Sequence, residues 1–262
     1  MAYEAVIFTV DDAVATITMN RPEVANALSL TMAKELAELA IACDERPDIR
    51  AVILTGSGRF FSAGGDLDGF SKAGADAGAL SKEMTMYVHS AVSRFSRMDA
   101  PLIAAVNGMA AGAGFSFAVS CDIVIAEESA QFLSAYTSSG LSPDGSSTYF
   151  LPRVVGFKRA YELMVLNRRL SAAEALEWGI ATRVVPDGES LSHAAELAGK
   201  LASGPTKAFG SVKRLLHASL TETLETQMES EARAFADVLR SDDAQEGVAA
   251  FLEKRKPQYR GA

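Results

Sequence analysis

The stretch VNGMAAGAGFSFAVSCD, residues 106–122, opens on an asparagine–glycine turn, passes through five consecutive small residues (110–114) and becomes mainly apolar. Small residues let other groups approach the backbone closely, and a turn that feeds a helix leaves free N–H groups pointing outward. The segment before it, PLIAAVNG (101–108), is a short apolar run ending in glycine, which reads as a buried strand. The same grammar occurs twice more: AVILTG (51–56) precedes a second glycine-rich turn, GRFFSAGGDLDGF (58–70), and CDIVIA (121–126) follows the first. The rhythm is strand, small-residue turn, helix, with the turns on one side of a sheet, and the fold class is α/β.

Around this centre, residues 4–9 and 13–19 alternate apolar and polar about an Asp11–Asp12 turn and read as a hairpin. Leu30, Met32, Leu36, Leu39 and Ala42 have helical spacing over 29–46, as do Met84, Val88, Val92 and Phe95 over 78–98. The small, polar stretch 71–78 reads as mobile. From about residue 156 the pattern turns helical: 156–166, 171–178, 189–203, 205–218, 221–239 and 241–254, with one short strand near 181–185.

Hydrophobic residues make up 48% and charged residues 22%, enough to bury a large core. No apolar run reaches the roughly 18 residues a membrane span needs, and the N-terminus lacks the pattern of a signal peptide. A formal net charge of −8 argues against nucleic-acid and membrane-surface binding while leaving room for a local basic cluster that holds an anionic small ligand. Cys43 and Cys121 read as small buried hydrophobes in a reducing, cytoplasmic setting. His89, His193 and His217 show no metal spacing and read as surface or packing residues, so no metal is expected. GxGxxG, the Walker loop and GxSxG are absent; Gly114-Phe115-Ser116 lacks the closing glycine.

Two readings remain for the glycine-rich turns. They serve tight strand-to-helix packing, or they offer two N–H groups to one oxygen, an oxyanion hole. Asp144, in GLSPDGSSTYFLPRVVG (140–156), is similarly open. Pro-Asp-Gly is a good turn sequence and Asp144 could cap a helix beginning near Ser146; it could equally be a base.

Taken in order, NRPEVANAL (20–28), FFSAGGDL (60–67), VNGMAAGAGFSFAVSCD, LSPDGSSTYFLPRVVG (141–156) and the tail FLEKRKPQYRG (251–261) resemble the enoyl-CoA hydratase/isomerase (crotonase) superfamily. The resemblance implies the ClpP/crotonase-like fold: a spiral of ββα units over residues 1–200 and a C-terminal helical trimerisation region over 201–262. It implies an acyl-CoA thioester as substrate, no separate cofactor, and a homotrimer or dimer of trimers. By motif position, the Gly65 and Ala113 amides would form the oxyanion hole. Val24, Ala25, Ala63, Gly64, Asp66 and Leu67 would border coenzyme A, and Lys254 would contact its phosphates.

The departures from the family pattern bear on the reaction. Hydratases of the family carry two water-activating glutamates; Ser116 and Tyr136 stand at those positions here, lining the pocket, and neither is a base near neutral pH. Asp144 matches the position at which isomerases of the family carry a single catalytic carboxylate. Double-bond migration by one proton-shuttling acid is therefore expected, with apolar surroundings raising its basicity. Hydration of a 2-enoyl-CoA and mere acyl-CoA binding are the alternatives.

Overall fold

The computed structural model describes residues 3–262. β1 (Val6–Asp11) and β2 (Val14–Met19) form the expected hairpin, but the turn is centred on Asp12 and Ala13, both at positive φ, one residue later than the Asp pair suggested. Ser29 caps α1 (Leu30–Glu45) by accepting from the Met32 amide. β3 (Ala51–Gly56) is buried at every position, as a parallel strand covered on both faces must be. It is followed by the three-residue β4 (Phe60–Ser62), then α2 (Leu67–Ala73) and α3 (Ala77–Phe95). The stretch 71–78, expected to be mobile, is helical almost throughout: α2 runs into a 3₁₀ turn, Gly74–Asp76, and then into α3.

The unit repeats. β5 (Leu102–Val106) leads to β6 (Met109–Ala111) and α4 (Ala113–Ser120); β7 (Ile123–Glu127) leads to β8 (Gln131–Leu133). The first strand of each pair joins a six-stranded sheet ordered β1-β2-β3-β5-β7-β10, with β10 formed by Arg183–Val185, parallel apart from the hairpin. The second joins a four-stranded sheet, β4-β6-β8-β9. Because each unit contributes one strand to each sheet, the chain winds as a spiral of ββα units.

The remaining elements are α5 (Ser147–Val155), α6 (Phe157–Leu166), β9 (Leu170–Ser171), α7 (Ala172–Glu177), β10 (Arg183–Val185), α8 (Ser190–Ala202), α9 (Thr206–Ser219), α10 (Leu224–Leu239) and α11 (Asp242–Leu252). The large core lies between α1, α3, α4 and the two sheets. On the other face of the large sheet, α8 presents Ala194, Ala198 and Ala202 at four-residue spacing against Ile53, Ile103 and Ile125. α9 is pinned by Lys213, whose buried ammonium donates to the Phe95 and Ala100 carbonyls and pairs with Asp122 at 2.7 Å. α10 has no buried residue.

Candidate active site

Two turns meet where β4 and β6 end. Gly64, at φ +96°, presses its backbone against residues 111–113: a Cβ there would stand 2.9 Å from the Ala111 carbonyl oxygen and 3.3 Å from the Ala113 nitrogen. Gly114 lets α4 lie on β4, since a Cβ would fall 2.6 Å from the Ser62 carbonyl. These approaches place the Gly65 amide beside the start of α4. Neither the Gly65 nor the Ala113 amide donates to any acceptor among the described residues. Both residues line a cavity of about 410 Å³, walled mainly by Leu28, Phe70, Met84, Val88 and Leu141. Two free N–H groups, one at a helix N-terminus with its partial positive charge, suit an oxygen that gains negative charge.

The first turn is held from behind. Arg21 donates to the Ala27 carbonyl at 2.7 Å and pairs with Asp66 at 3.0 Å. Asp66 also accepts from the Gly69 amide and so caps α2. Asn26, fully buried, donates to the Ser57, Phe60 and Phe61 carbonyls. Asp66, expected at the coenzyme A site, therefore has its side chain engaged within the loop. Ala63 and Leu67 line the cavity; Gly64 supplies the close approach beneath it; Ala25 accepts from the Ala63 amide, and Val24 is exposed beside it. Lys254 follows α11 and is not among the residues that line the cavity of the Gly65 and Ala113 amides.

Asp144 is the only carboxylate among the residues that line the cavity. It sits in a turn, with Gly145 and Ser146 at positive φ, and its side chain does not cap α5. Its Oδ1 lies 2.8 Å from His89 Nε2 on α3 instead, while Oδ2 has no partner among the described residues. The carboxylate is 38% exposed, so the expectation of apolar enclosure is corrected. A second cavity opens on its far side and an imidazole stands against it. His89 is exposed, as expected of it, and stands in addition against the candidate base. It lies 55 positions from Asp144, and no local spacing in the sequence could have joined the two.

Ser116 and Tyr136 turn toward the same residue. Ser116 Oγ donates to the Asp144 carbonyl at 2.8 Å and Tyr136 OH donates to it at 3.1 Å, the two hydroxyls being 3.0 Å apart. Ser147 Oγ adds a contact at 3.1 Å. Burial, assisted by the Asp144 charge and opposed by the Ser116 hydrogen bond, pushes the Tyr136 hydroxyl up to about 12, so it remains a neutral donor. Of the other histidines, His193 faces Glu189 at 3.3 Å one helical turn away, and His217 stacks edge-on against Phe150. Burial pushes the Cys43 thiol up to about 12; Cys121 is half-buried and donates to the Phe117 carbonyl.

The two unpaired amides and the one carboxylate thus border the same largely apolar cavity. Residues 9–262 match the family described as enoyl-CoA hydratase/isomerase. A "Probable enoyl-CoA hydratase" of Rhodobacter capsulatus is 40% identical over the whole of both chains. The 1,2-epoxyphenylacetyl-CoA isomerase of Escherichia coli K12 is also 40% identical, over 98% of this chain and 99% of its own. The crystal structure of an enoyl-CoA hydratase from Polaromonas sp. JS666 matches with a TM-score of 0.93 at 35% identity, covering 98% of this chain and all of that one. The chain belongs to the enoyl-CoA hydratase/isomerase family and has the crotonase fold.

Proposed function

We propose that the protein is an acyl-CoA isomerase that moves a double bond by way of Asp144. The thioester oxygen accepts from the Gly65 and Ala113 amides. Asp144 takes the proton from the carbon next to the carbonyl, breaking the C–H bond and sending its electron pair into the enolate. It then returns that proton two carbons further along, so the double bond shifts and no other group is consumed. The observation that carries this reading is the single carboxylate on a cavity with two free amides. A one-acid shuttle needs no activated water, and the two positions that would activate it are occupied by hydroxyls directed at the Asp144 carbonyl. The 40% identical 1,2-epoxyphenylacetyl-CoA isomerase supports isomerisation of a CoA thioester, there of an epoxide. Ala63, Gly64, Leu67, Ala25 and Val24 would border the coenzyme A moiety, and Lys254 would reach its phosphates from a neighbouring copy in a trimeric assembly.

Asp144→Asn keeps the shape and removes the base. It should lower exchange of the C2 proton into deuterated solvent by roughly 10²–10⁴-fold, the usual contribution of a positioned acid–base group, while acyl-CoA binding persists. Exchange at the wild-type rate would overturn the assignment. Loss of enoyl absorbance when crotonyl-CoA is supplied would favour hydration, the reading that the Rhodobacter capsulatus relative's name suggests.

A further inference from the structure

Asp144 and Pro143 line two cavities. The first is the apolar one containing the free amides. The second, about 730 Å³, continues along α3 toward its C-terminus, from His89 through Val92 to Arg97, with Tyr149 and Phe150 of α5 and Arg214 and His217 of α9 around it. From His89 to Arg97 the chain rises about 12 Å at 1.5 Å per residue. An acyl chain whose reacting carbons face Asp144 would enter this space with its distal end.

The charges around the second cavity are unequal. Arg214 pairs with Asp99 at 2.5 Å, Lys213 with Asp122 at 2.7 Å and His89 with Asp144 at 2.8 Å. Arg97 donates only to Ser93, and Arg153 donates to the Tyr149 carbonyl and stacks on that ring at 3.7 Å; neither has an acidic partner among the described residues. Of these two, Arg97 alone lines the cavity, and its side chain is exposed. His217 registers the field: burial, chiefly, holds its pKa below the usual imidazole value, and Lys213, Arg97 and Arg153 push the same way against Asp122 alone. Its ring nitrogens hydrogen-bond to nothing among the described residues, so it is a neutral donor available to a ligand.

We propose that the second cavity is the distal acyl subsite and selects thioesters whose chain ends in a carboxylate, held by Arg97 with His217 as the neutral donor. The inference rests on the acyl-CoA reading above and adds the substrate class. A carboxylate there could accept charge-assisted hydrogen bonds from the exposed Arg97 guanidinium and a further one from His217, which a methyl terminus cannot.

The test uses two unsaturated acyl-CoA thioesters of matched length, able to span the two cavities, one ending in a methyl group and one in a carboxylate. Double-bond migration gives kcat/KM for each, and deuterium uptake at C2 is followed in parallel. The carboxylate-ended thioester should be preferred by roughly three- to tenfold, the value of a solvent-exposed charge pair with one added hydrogen bond. In Arg97→Met that ratio should fall to about one. Equal rates in the wild type, or a preference that survives Arg97→Met, would overturn the subsite while leaving the isomerase reading intact. Absence of deuterium uptake from both thioesters would overturn both.

Discussion

Asp144 is fixed chiefly through its main chain. Three hydroxyls, from Ser116, Tyr136 and Ser147, lie within hydrogen-bond distance of its carbonyl, and only His89 touches its carboxylate. This divides the labour: the backbone contacts set where the side chain starts, and His89 occupies one oxygen while the other has no partner among the described residues. Tyr136→Phe removes one of these donors without opening a cavity. It should lower kcat about fivefold, corresponding to roughly 1 kcal/mol for a hydrogen bond of this type, with little change in KM, because the proposed coenzyme A contacts are untouched. A purely structural role would show as a loss of thermal stability with kcat retained, so steady-state kinetics and a melting curve together decide the matter. The sequence identified Ser116 and Tyr136 as positions emptied of glutamate, and isolated Asp144 as the remaining acid. Their convergence on one carbonyl was not legible, because it depends on the β8–α5 segment folding back over α4. His89 was illegible for a related reason: its partner is chosen by packing of α3 against the turn.

Elements with their own local signal were readable. The buried strands β3 and β5 appear as apolar runs, and α1, α3 and α8 as helical stripes, because burial imposes those periods directly. The three-residue strands β4 and β6 lie inside stretches that read as turns, and β8 has no signal of its own in the sequence. Each owes its existence to hydrogen bonds with the others, and three residues are too few to show a period. The C-terminal tail is a further case in which long-range contacts decide. Asp243, buried at the start of α11, accepts from the Arg260 and Gly261 amides at 2.6 and 2.7 Å, and Glu246 accepts from Arg255 and the Gln258 amide. The Arg255 hydrogen bond and then the Gln258 amide hold the Glu246 carboxyl down at about 2, against an ordinary 4.5. A depressed carboxylate stabilises the tail's fold above its ordinary pKa, and that contribution is lost as pH falls from about 4.5 toward 2. Limited proteolysis should therefore cut the tail progressively faster across that window. Asp243→Ala should release it at neutral pH, at a cost of at least about 2 kcal/mol for two charge-assisted bonds.

On the scale of the molecule, the surface is uneven in a way that the single chain does not explain. α8 and α9 are tied to the spiral, one by its alanine stripe and the other by Lys213, yet α10 exposes Leu224, Met228, Phe235 and Leu239, and α11 exposes Val248, Phe251 and Leu252. Monomeric proteins seldom leave so many large apolar side chains in adjoining helices uncovered. The resemblance of the sequence to crotonases implies a trimer, and a second copy of this chain is the occupant such a face would take. If that is so, the helical spacing of the exposed residues, unlike that of α3, records an interface between chains rather than a core. Replacing Met228 and Phe235 together by glutamate changes two exposed positions on a helix without buried residues, so each chain should fold and melt much as before. Light scattering coupled to size exclusion should then report the monomer mass where the unaltered protein reports a multiple of it. Isomerase activity would decide how far the assembly completes the site: a rise in KM with kcat preserved would fit coenzyme A phosphates held by Lys254 of a neighbouring copy. An unaltered protein that already elutes as a monomer would remove the assembly reading and leave the apolar face of α10 to another partner.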